Sequence, residues 1–295
     1  MEAATARVAR PGRSFPARAW KWLRNNALLI YAGLAVAYML IPILIIALFS
    51  FDAGNVQGEL DFTWSAFTLD YWKDAFAVEE VNDSMITSLQ LAALSMIIAT
   101  TIGTLMAMAL VRYNFFGRRA TNLVIILPMA TPEIVIGAAL LSMFVLPPFS
   151  DVFNLGFQTL LIAHVMFSIS FVVVVVRSRL IGFDRSIEEA AADLGATPLT
   201  TFRTVTLPLL APAIIAAALL AFALSLDDFV ISNLNSGATT TFPLYIFGAS
   251  LRGIPVQVNV LATMLFAVTV VAIALVLWQQ RRAEKMASVQ IDPQV

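Results

Sequence analysis

The stretch EEAAADLGATPLTTFRTVTLPLLAP, residues 188–212, separates two long apolar runs of the chain. Ser186 and Glu189 have the spacing of a capping box, which predicts the start of a short helix. Gly195 stands where such a helix would end with a residue in the left-handed conformation. The alanines at positions 190–192 add little side-chain bulk, so another protein surface can approach this helix closely.

A second short helix is predicted directly after the first. Thr197 suits the N-cap position, and Pro198 suits the first helical position. Pro208 and Pro212 then mark the entry to the next apolar run. The stretch therefore predicts two short helices that connect two long ones.

The composition of the whole chain is that of a membrane protein. Of its 295 residues, 60% are hydrophobic and 13% are charged, whereas a soluble domain has about 25% charged residues. A soluble fold could not cover its surface with so few polar groups. The chain has no cysteine and one histidine, which excludes disulfides and thiolate ligands and argues against a histidine metal cluster.

Six apolar runs are long enough to cross the hydrocarbon core, which takes about 20 residues as a helix. Four runs contain no Asp, Glu, Lys or Arg, the third contains only Glu133, and the fifth contains only Asp227 and Asp228. The sequence therefore predicts an all-α, polytopic membrane protein with six transmembrane helices. The runs are 27–50, 85–110, 120–146, 157–176, 209–234 and 256–279.

The basic residues predict the orientation of the chain. Of the 18 Lys and Arg residues, 16 fall before the first run, between the second and third, between the fourth and fifth, or after the sixth. Only Lys73 and Arg252 fall on the other side. Because loops rich in Lys and Arg stay in the cytoplasm, both termini are expected to be cytoplasmic.

This topology divides the chain into three segments and two notable loops. The external loop has a net charge of −7 and carries Trp64, Tyr71 and Trp72. We interpret it as a solvated loop with aromatic rings at the headgroup level, or as a docking surface for a cationic ligand or its carrier. The segments are a cytoplasmic basic N-terminal segment (1–26), a six-helix transmembrane domain (27–280) with external loop 51–84 and cytoplasmic loop 182–208, and a cytoplasmic tail (281–295).

The cytoplasmic loop matches a known family motif. The pattern Glu-Ala-Ala, three further residues and Gly, followed after a gap by Leu-Pro, resembles the EAA loop of binding-protein-dependent ABC permeases. In that family this loop is a coupling helix that seats on the ATPase subunit. The resemblance implies an ATPase-coupling role for Glu189, Ala190, Ala191 and Gly195, with Leu207 and Pro208 completing the pattern.

The resemblance extends over nearly the whole chain. The stretches LPMATPEIVIG (127–137), AHVMFSISF (163–171) and LSLDDFVIS (224–232) are similar to the spermidine/putrescine permease group. Within that group the chain resembles the second of the two permease subunits of a bacterial inner-membrane importer. Ser170 departs from the pattern, because relatives often have proline there. The resemblance therefore does not imply a proline kink in the fourth span of this chain, and the assignment to the group is unaffected.

The resemblance also implies a set of partners. They are a second homologous permease subunit, a dimer of ABC ATPases and a periplasmic solute-binding protein, besides the lipid bilayer. No lysine follows a glycine, so a P-loop is impossible, and ATP and Mg²⁺ are expected on the partner ATPases with no cofactor in this chain. No catalytic set, metal-ligand spacing or nucleic-acid-binding motif stands out, so we predict a non-enzyme subunit without a nucleic-acid partner.

Polar residues inside the apolar runs need an explanation, because an ionisable group at bilayer depth is unfavourable unless it faces protein or water. We interpret Glu133, Asp227, Asp228 and Ser232 as substrate-pathway residues, of which the three acids attract the ammonium groups of a cationic substrate. The alternative is that the acids pair with the partner subunit or cap helix ends. In the fifth run, four residues recur at helical spacing and predict one polar face toward a cavity or a partner helix. These are Ser225, Asp228, Ser232 and Asn235.

Prolines and small residues give further expectations. Glu133 follows Pro128 and Pro132, which predicts a broken third span with a carboxylate beside it, similar to the interrupted helices that line transport sites. His164 is expected to form hydrogen bonds between helices rather than to bind a ligand. Four small residues are predicted packing positions, namely Gly103, Ala107, Gly137 and Ala138.

The acidic residues favour a small cationic substrate, and the polyamines putrescine and spermidine fit the resemblance. An anion importer would be expected to place basic groups along its path, and no predicted span contains one. An ABC permease for another solute, such as ferric iron, phosphonate or sulfate, is the first alternative. A secondary transporter or channel is the second, and it predicts inverted internal repeats, of which the sequence shows no sign.

Overall fold

The computed structural model describes residues 15–54 and 64–290. In these residues the regular structure is helical, apart from one isolated bridge between Asp52 and Phe67, which confirms the predicted all-α class. A 3-10 turn and a π turn occupy Phe149–Asp151 and Phe202–Thr206. The helices are α1 (Phe15–Phe49), α2 (Asp70–Lys73), α3 (Glu79–Arg112), α4 (Arg118–Ala130), α5 (Glu133–Val145), α6 (Phe157–Ile181), α7 (Ser186–Asp193), α8 (Pro198–Thr201), α9 (Leu207–Leu226), α10 (Val230–Asn235), α11 (Phe242–Ser250) and α12 (Val256–Gln290).

Several helices are long and apolar enough to cross a membrane. Among the described residues there are four, namely Asn26–Phe49, Glu79–Arg112, Phe157–Ile181 and Pro198–Leu226. Helices α4 and α5 together form a bent apolar pair, and the number is five if this pair is counted as one span. The predicted sixth run lies in α12, whose apolar part Val256–Val271 is shorter than a span.

The first compact unit comprises the described residues of Met1–Ala75 and Pro255–Val295. In this unit α1 packs along α12, and α12 contacts α2. Beyond α1, the ring of Phe51 stacks on Phe67 and Trp72 at centroid distances of 5.6 and 4.9 Å. Trp72 therefore belongs to an intramolecular aromatic cluster.

Parts of three predicted segments lie outside the described residues. These are positions 1–14, positions 55–63 with Glu59 and Asp61, and positions 291–295. Other acids of the predicted external loop are already helical, because α3 begins at Glu79 and includes Glu80 and Asp83.

The second compact unit, Phe76–Ile254, is centred on the mutually packed helices α3, α6 and α9. At Gly103 of α3, an added Cβ would lie 2.6 Å from Cγ1 of Val172 in α6, so only glycine permits this backbone approach. Ala107 and Gly137 are also buried, as predicted. The prediction for Ala138 is wrong, because this residue lies off the buried face of α5 and is exposed.

The predicted break in the third span is confirmed. Helix α4 ends at Ala130, Thr131 is extended with ψ 134°, and α5 begins at Glu133 after a bend of 114°. The residue before a proline is pushed out of the helical conformation, so Pro132 accounts for the position of the break.

The fifth predicted run contains a second break, and the prediction of one continuous polar helix face is wrong. Helix α9 ends at Leu226, and α10 begins at Val230. The carboxylate of Asp228 accepts hydrogen bonds from the backbone N–H groups of Ile231 at 3.3 Å and Ser232 at 2.8 Å. An Asp side chain that binds the free N–H groups at a helix start stabilises the break against a continued helix.

Candidate functional site

The predicted coupling helix is α7, and its first turn differs from the prediction. The backbone N–H of Ser186 donates to Oδ1 of Asp184 at 2.9 Å, and no side-chain cap forms at Arg185. The Ser186/Glu189 capping box is therefore absent, because Asp184 is already placed to accept from the free N–H. This hydrogen bond from Ser186 lowers the pKa of the Asp184 carboxyl.

The end of α7 follows the prediction. Gly195 has φ +86°, in the left-handed region, and its N–H donates to the carbonyl of Ala192 at 2.9 Å. The N–H of Ala196 donates to the carbonyl of Ala191 at 3.0 Å, which completes a Schellman motif. Nothing lies within 4 Å of a Cβ built at Gly195, so the conformation and not the space requires glycine there.

The second short helix also starts as predicted. Thr197 is the N-cap of α8 and accepts from the N–H of Thr200 at 3.3 Å, with Pro198 at the first helical position. Helix α8 then runs through the π turn Phe202–Thr206 into α9. The loop is thus an elbow of two short helices joined at Gly195.

One face of the elbow is open to solvent. Glu189 and Ala190 are exposed, Ala191 is half-buried, and Leu194 is 90% exposed. Helix α7 contains no buried residue. A surface of this kind, with alanines flanked by a carboxylate, can accept a close partner.

The opposite face of α7 carries a residue that the sequence reasoning missed. Oε1 of Glu188 lies 2.5 Å from Nη2 of Arg112, the last residue of α3, and also accepts from the hydroxyl of Thr206. Arg112 and Thr206 lie 76 and 18 positions from Glu188 in the sequence. The pair of consecutive glutamates was a sequence signal for this contact. Neighbouring residues on a helix point in different directions, so Glu188 and Glu189 cannot both face the same surface.

The break between α9 and α10 lies in a buried polar network around His164. Nδ1 of His164 is 2.7 Å from the hydroxyl of Ser225, and Nε2 is 3.0 Å from the hydroxyl of Ser232. Nε2 also lies 3.4 Å from Oδ2 of Asp228. The prediction that His164 bonds across helices is confirmed, since it connects α6 to both sides of the break.

The two breaks meet through α5 and α10. The side-chain amide of Asn235 donates to the carbonyl of Gly137 at 3.1 Å. A Cβ built at Gly137 would lie 2.8 Å from Cδ1 of Leu234 and 3.4 Å from Cα of Ile231. Position 137 therefore faces α10 at contact distance, and a bulky side chain there would press on Leu234 and on the backbone at Ile231.

The predicted pathway residues fall into two groups. Asp228 and Ser232 are buried and engaged with their own chain, as are Ser225 and Asn235. Glu133 and Asp227 are exposed, each beside one of the breaks. The carboxylate of Glu133 lies within electrostatic range of Asp228 and Asp227, so the two breaks form one acidic region.

The described residues contain no group of three His, Cys, Asp or Glu side chains that could hold a metal ion. At the two breaks, Glu133, Asp227 and Asp228 supply carboxylates. None of the three forms an ion pair with a Lys or Arg among the described residues. The exposed carboxylates of Glu133 and Asp227 can attract an ammonium group by charge and accept its hydrogen bonds, and the buried carboxylate of Asp228 adds negative charge.

A chain with several apolar helices of spanning length and a buried polar break between them is a multi-pass membrane protein. Residues 99–285 match the family described as "Binding-protein-dependent transport system inner membrane component", and the chain belongs to this family. The resemblance drawn from Glu189, Ala190, Ala191 and Gly195 is thereby confirmed.

Two polyamine permease proteins are similar to this chain over most of its length. The spermidine/putrescine transport system permease protein PotC of Haemophilus influenzae is 36% identical, over 86% of this chain and 95% of its own length. The putrescine transport system permease protein PotI of Escherichia coli K12 is 35% identical, over 85% of this chain and 90% of its own length.

Solved structures share the fold at lower sequence identity. A bacterial ABC transporter involved in import of the acidic polysaccharide alginate aligns with a TM-score of 0.62 and 18% identity, covering 91% of this chain and 99% of that chain. The MetNI methionine ABC transporter aligns with a TM-score of 0.52 and 15% identity, covering 72% and 98%. These likenesses concern the arrangement of helices.

Proposed function

We propose that this chain is the permease subunit of an ATP-driven importer of polyamines, and that it forms half of the translocation pathway. The observation that carries the proposal is the exposed elbow of α7 and α8, which interrupts the apolar helices at the position of the family motif. The names of the 35–37% identical relatives support putrescine or spermidine as the substrate.

The proposed topology has six spans with both termini in the cytoplasm of a bacterial inner membrane. Four helices of spanning length, the bent α4–α5 pair and the apolar start of α12 supply these spans. The distribution of Lys and Arg supports the orientation. The proposed transmembrane domain comprises residues 27–280, with proposed cytoplasmic segments 1–26 and 281–295.

The elbow is the proposed contact with an ABC ATPase. Glu189 and Ala190 lie on its exposed face, Ala191 allows close approach, and Gly195 sets the turn between α7 and α8. The ATPase dimer would hold ATP and Mg²⁺, and this chain would act as a non-catalytic subunit. A second permease subunit and a periplasmic solute-binding protein complete the proposed assembly.

The acidic region at the two breaks is the proposed path of the cation. Glu133 and Asp227 are the residues that can contact a passing ammonium group, because they are exposed. Asp228 and Ser232 are proposed to shape this part of the pathway, because their polar atoms hold the start of α10 and contact His164.

Uptake by the assembled importer tests the proposed function. The complete transporter in proteoliposomes, with ATP inside and its binding protein outside, should accumulate labelled putrescine or spermidine. Uptake should depend on ATP hydrolysis and on the binding protein. Accumulation of ferric iron, phosphonate or sulfate without polyamine uptake would contradict the proposed substrate. Uptake without ATP would contradict the proposed ATP-driven mechanism.

A further inference from the structure

Glu188 joins three elements of the second compact unit through one carboxylate oxygen. Oε1 of Glu188 in α7 accepts from Nη2 of Arg112 at 2.5 Å and from the hydroxyl of Thr206. Arg112 ends α3, and Thr206 ends the π turn that precedes α9. The side chains of Arg112 and Glu188 are 21% and 17% exposed, so water screens this ion pair less than a surface pair.

The hydrogen bonds among Glu188, Arg112 and Thr206 form a polar joint, and other contacts at the same end of α3 support it. The guanidinium carbon of Arg112 lies 5.9 Å from the centre of the Phe183 ring, which is cation–π distance. Phe183 in turn packs against the hydrophobic core that α3, α6 and α9 share. Nη2 of Arg185 donates to the carbonyl of Val111 at 3.4 Å.

Helix α7 has few other attachments to the bundle. None of its residues is buried, and a cavity of about 300 Å³ lies beside Arg112, Glu188, Ala192 and Thr206. Apolar packing under α7 is therefore limited. The polar joint at Glu188 must carry much of the mechanical connection between α7 and the long helices.

We propose that Glu188 is a positioning residue that transmits movement of α7 to α3 and α9 through Arg112 and Thr206. The two consecutive glutamates then have separate tasks. Glu189 faces outward to a partner, and Glu188 faces inward to the bundle. Because α3 and α9 both pack on α6, displacement of α7 reaches all three helices of the core. This inference rests on the proposed coupling function of α7.

The proposal predicts uncoupling rather than loss of assembly. In the reconstituted transporter, E188A and R112Q should retain the ATPase subunits and hydrolyse ATP, while polyamine uptake per ATP falls about tenfold, within the usual range of coupling between sites. T206V keeps the ion pair and should lower this ratio about threefold, since one hydrogen bond is lost. Arg119 is an exposed arginine near the same end of the bundle, so R119Q is the matched control and should keep the normal ratio.

A charge exchange provides the decisive variant. The double variant R112E/E188R can rebuild the ion pair with reversed charges, and it should recover uptake per ATP relative to either single reversal. Absence of recovery, or normal coupling in E188A, would overturn the positioning role. Release of the ATPase by E188A would also overturn it, because Glu188 would then be part of the docking surface. Failure of the proposed function itself would appear separately, as a wild-type transporter without ATP-dependent polyamine uptake.

Discussion

The side-chain amide of Asn235 donates a 3.1 Å hydrogen bond to the backbone carbonyl of Gly137. This contact joins the helix that follows one break to the helix that follows the other, across 98 positions of sequence. A Cβ at Gly137 would lie 2.8 Å from Cδ1 of Leu234 and 3.4 Å from Cα of Ile231, so a bulky side chain at this position would press on both residues.

Gly137→Val should therefore separate α5 from α10. Overpacking a tight contact costs about 1–3 kcal/mol, so the melting temperature of the purified transporter should fall, and polyamine uptake should fall with it. Ala138→Val is the matched control, because Ala138 is exposed on the same helix. Equal melting temperatures for the two variants would contradict the close approach at Gly137.

His164→Ala should destabilise the same region. The substitution leaves Ser225, Ser232 and Asp228 without their shared partner in a buried setting, which costs about 2–4 kcal/mol for the unsatisfied groups. Thermal unfolding of the purified transporter measures this loss. Gln158→Ala on the exposed start of α6 should leave the unfolding temperature unchanged. A stable H164A variant would show that the network does not hold the break.

Asp227→Asn and Glu133→Gln should weaken interaction with the cation in transit. Loss of one charge-assisted hydrogen bond corresponds to about 1.4 kcal/mol, or about tenfold in affinity. The expected result is a higher polyamine concentration for half-maximal uptake, with normal thermal stability because both side chains are exposed. Asp228→Asn is the comparison, and its main effect should be on stability. Unchanged uptake in both D227N and E133Q would remove these residues from the pathway.

Glu189→Lys should release the ATPase subunit. The substitution reverses the charge on the exposed face of α7 without touching a buried contact. A pull-down through tagged permease should recover less than about one tenth of the normal ATPase, since like-charge juxtaposition costs several kcal/mol at an interface. Asp193→Lys reverses a charge at the far end of α7 and reports whether position matters. Full ATPase recovery with E189K would contradict docking on this face.

Asp52 should make stability depend on acid pH. Burial raises the pKa of Asp52, but hydrogen bonds from Ser65, Gly54 and Ala66 outweigh burial and hold the pKa below its ordinary value of 3.8. A lowered pKa in the folded state means that ionised Asp52 stabilises the fold above pH 3.8. This stabilisation is lost as the pH falls from 3.8 through the folded-state pKa.

The Asp52→Asn variant tests this sign. It should melt below the wild type by a few degrees at pH 7, roughly what one lost network of hydrogen bonds produces. The difference should narrow as the pH falls from 3.8 through the folded-state pKa, because protonation then removes the charge of the wild-type carboxyl. A difference that grows with acidity would reverse the assigned direction of the pKa shift.

Local features of the molecule were predictable from sequence. The end of α7 at Gly195 and the start of α8 at Thr197 depend on hydrogen bonds between residues a few positions apart. The break at Pro132 likewise follows from a local effect, because the proline ring keeps the preceding residue, Thr131, out of the helical conformation. By contrast, the expected capping box at Ser186 was wrong, because Asp184 competes for the same N–H group.

By itself, the sequence determined that the chain is a membrane protein and which of its stretches are apolar. It also determined where the elbow between α7 and α8 bends and which family the chain resembles. Those properties depend on composition and on interactions within about one helical turn. Only the tertiary structure decided that α9 stops at Leu226, that His164 meets Ser225 from 61 positions away, and that Glu188 meets Arg112 from 76. Such contacts depend on which helix faces pack together, and periodicity within one helix carries no information about the neighbour it will meet.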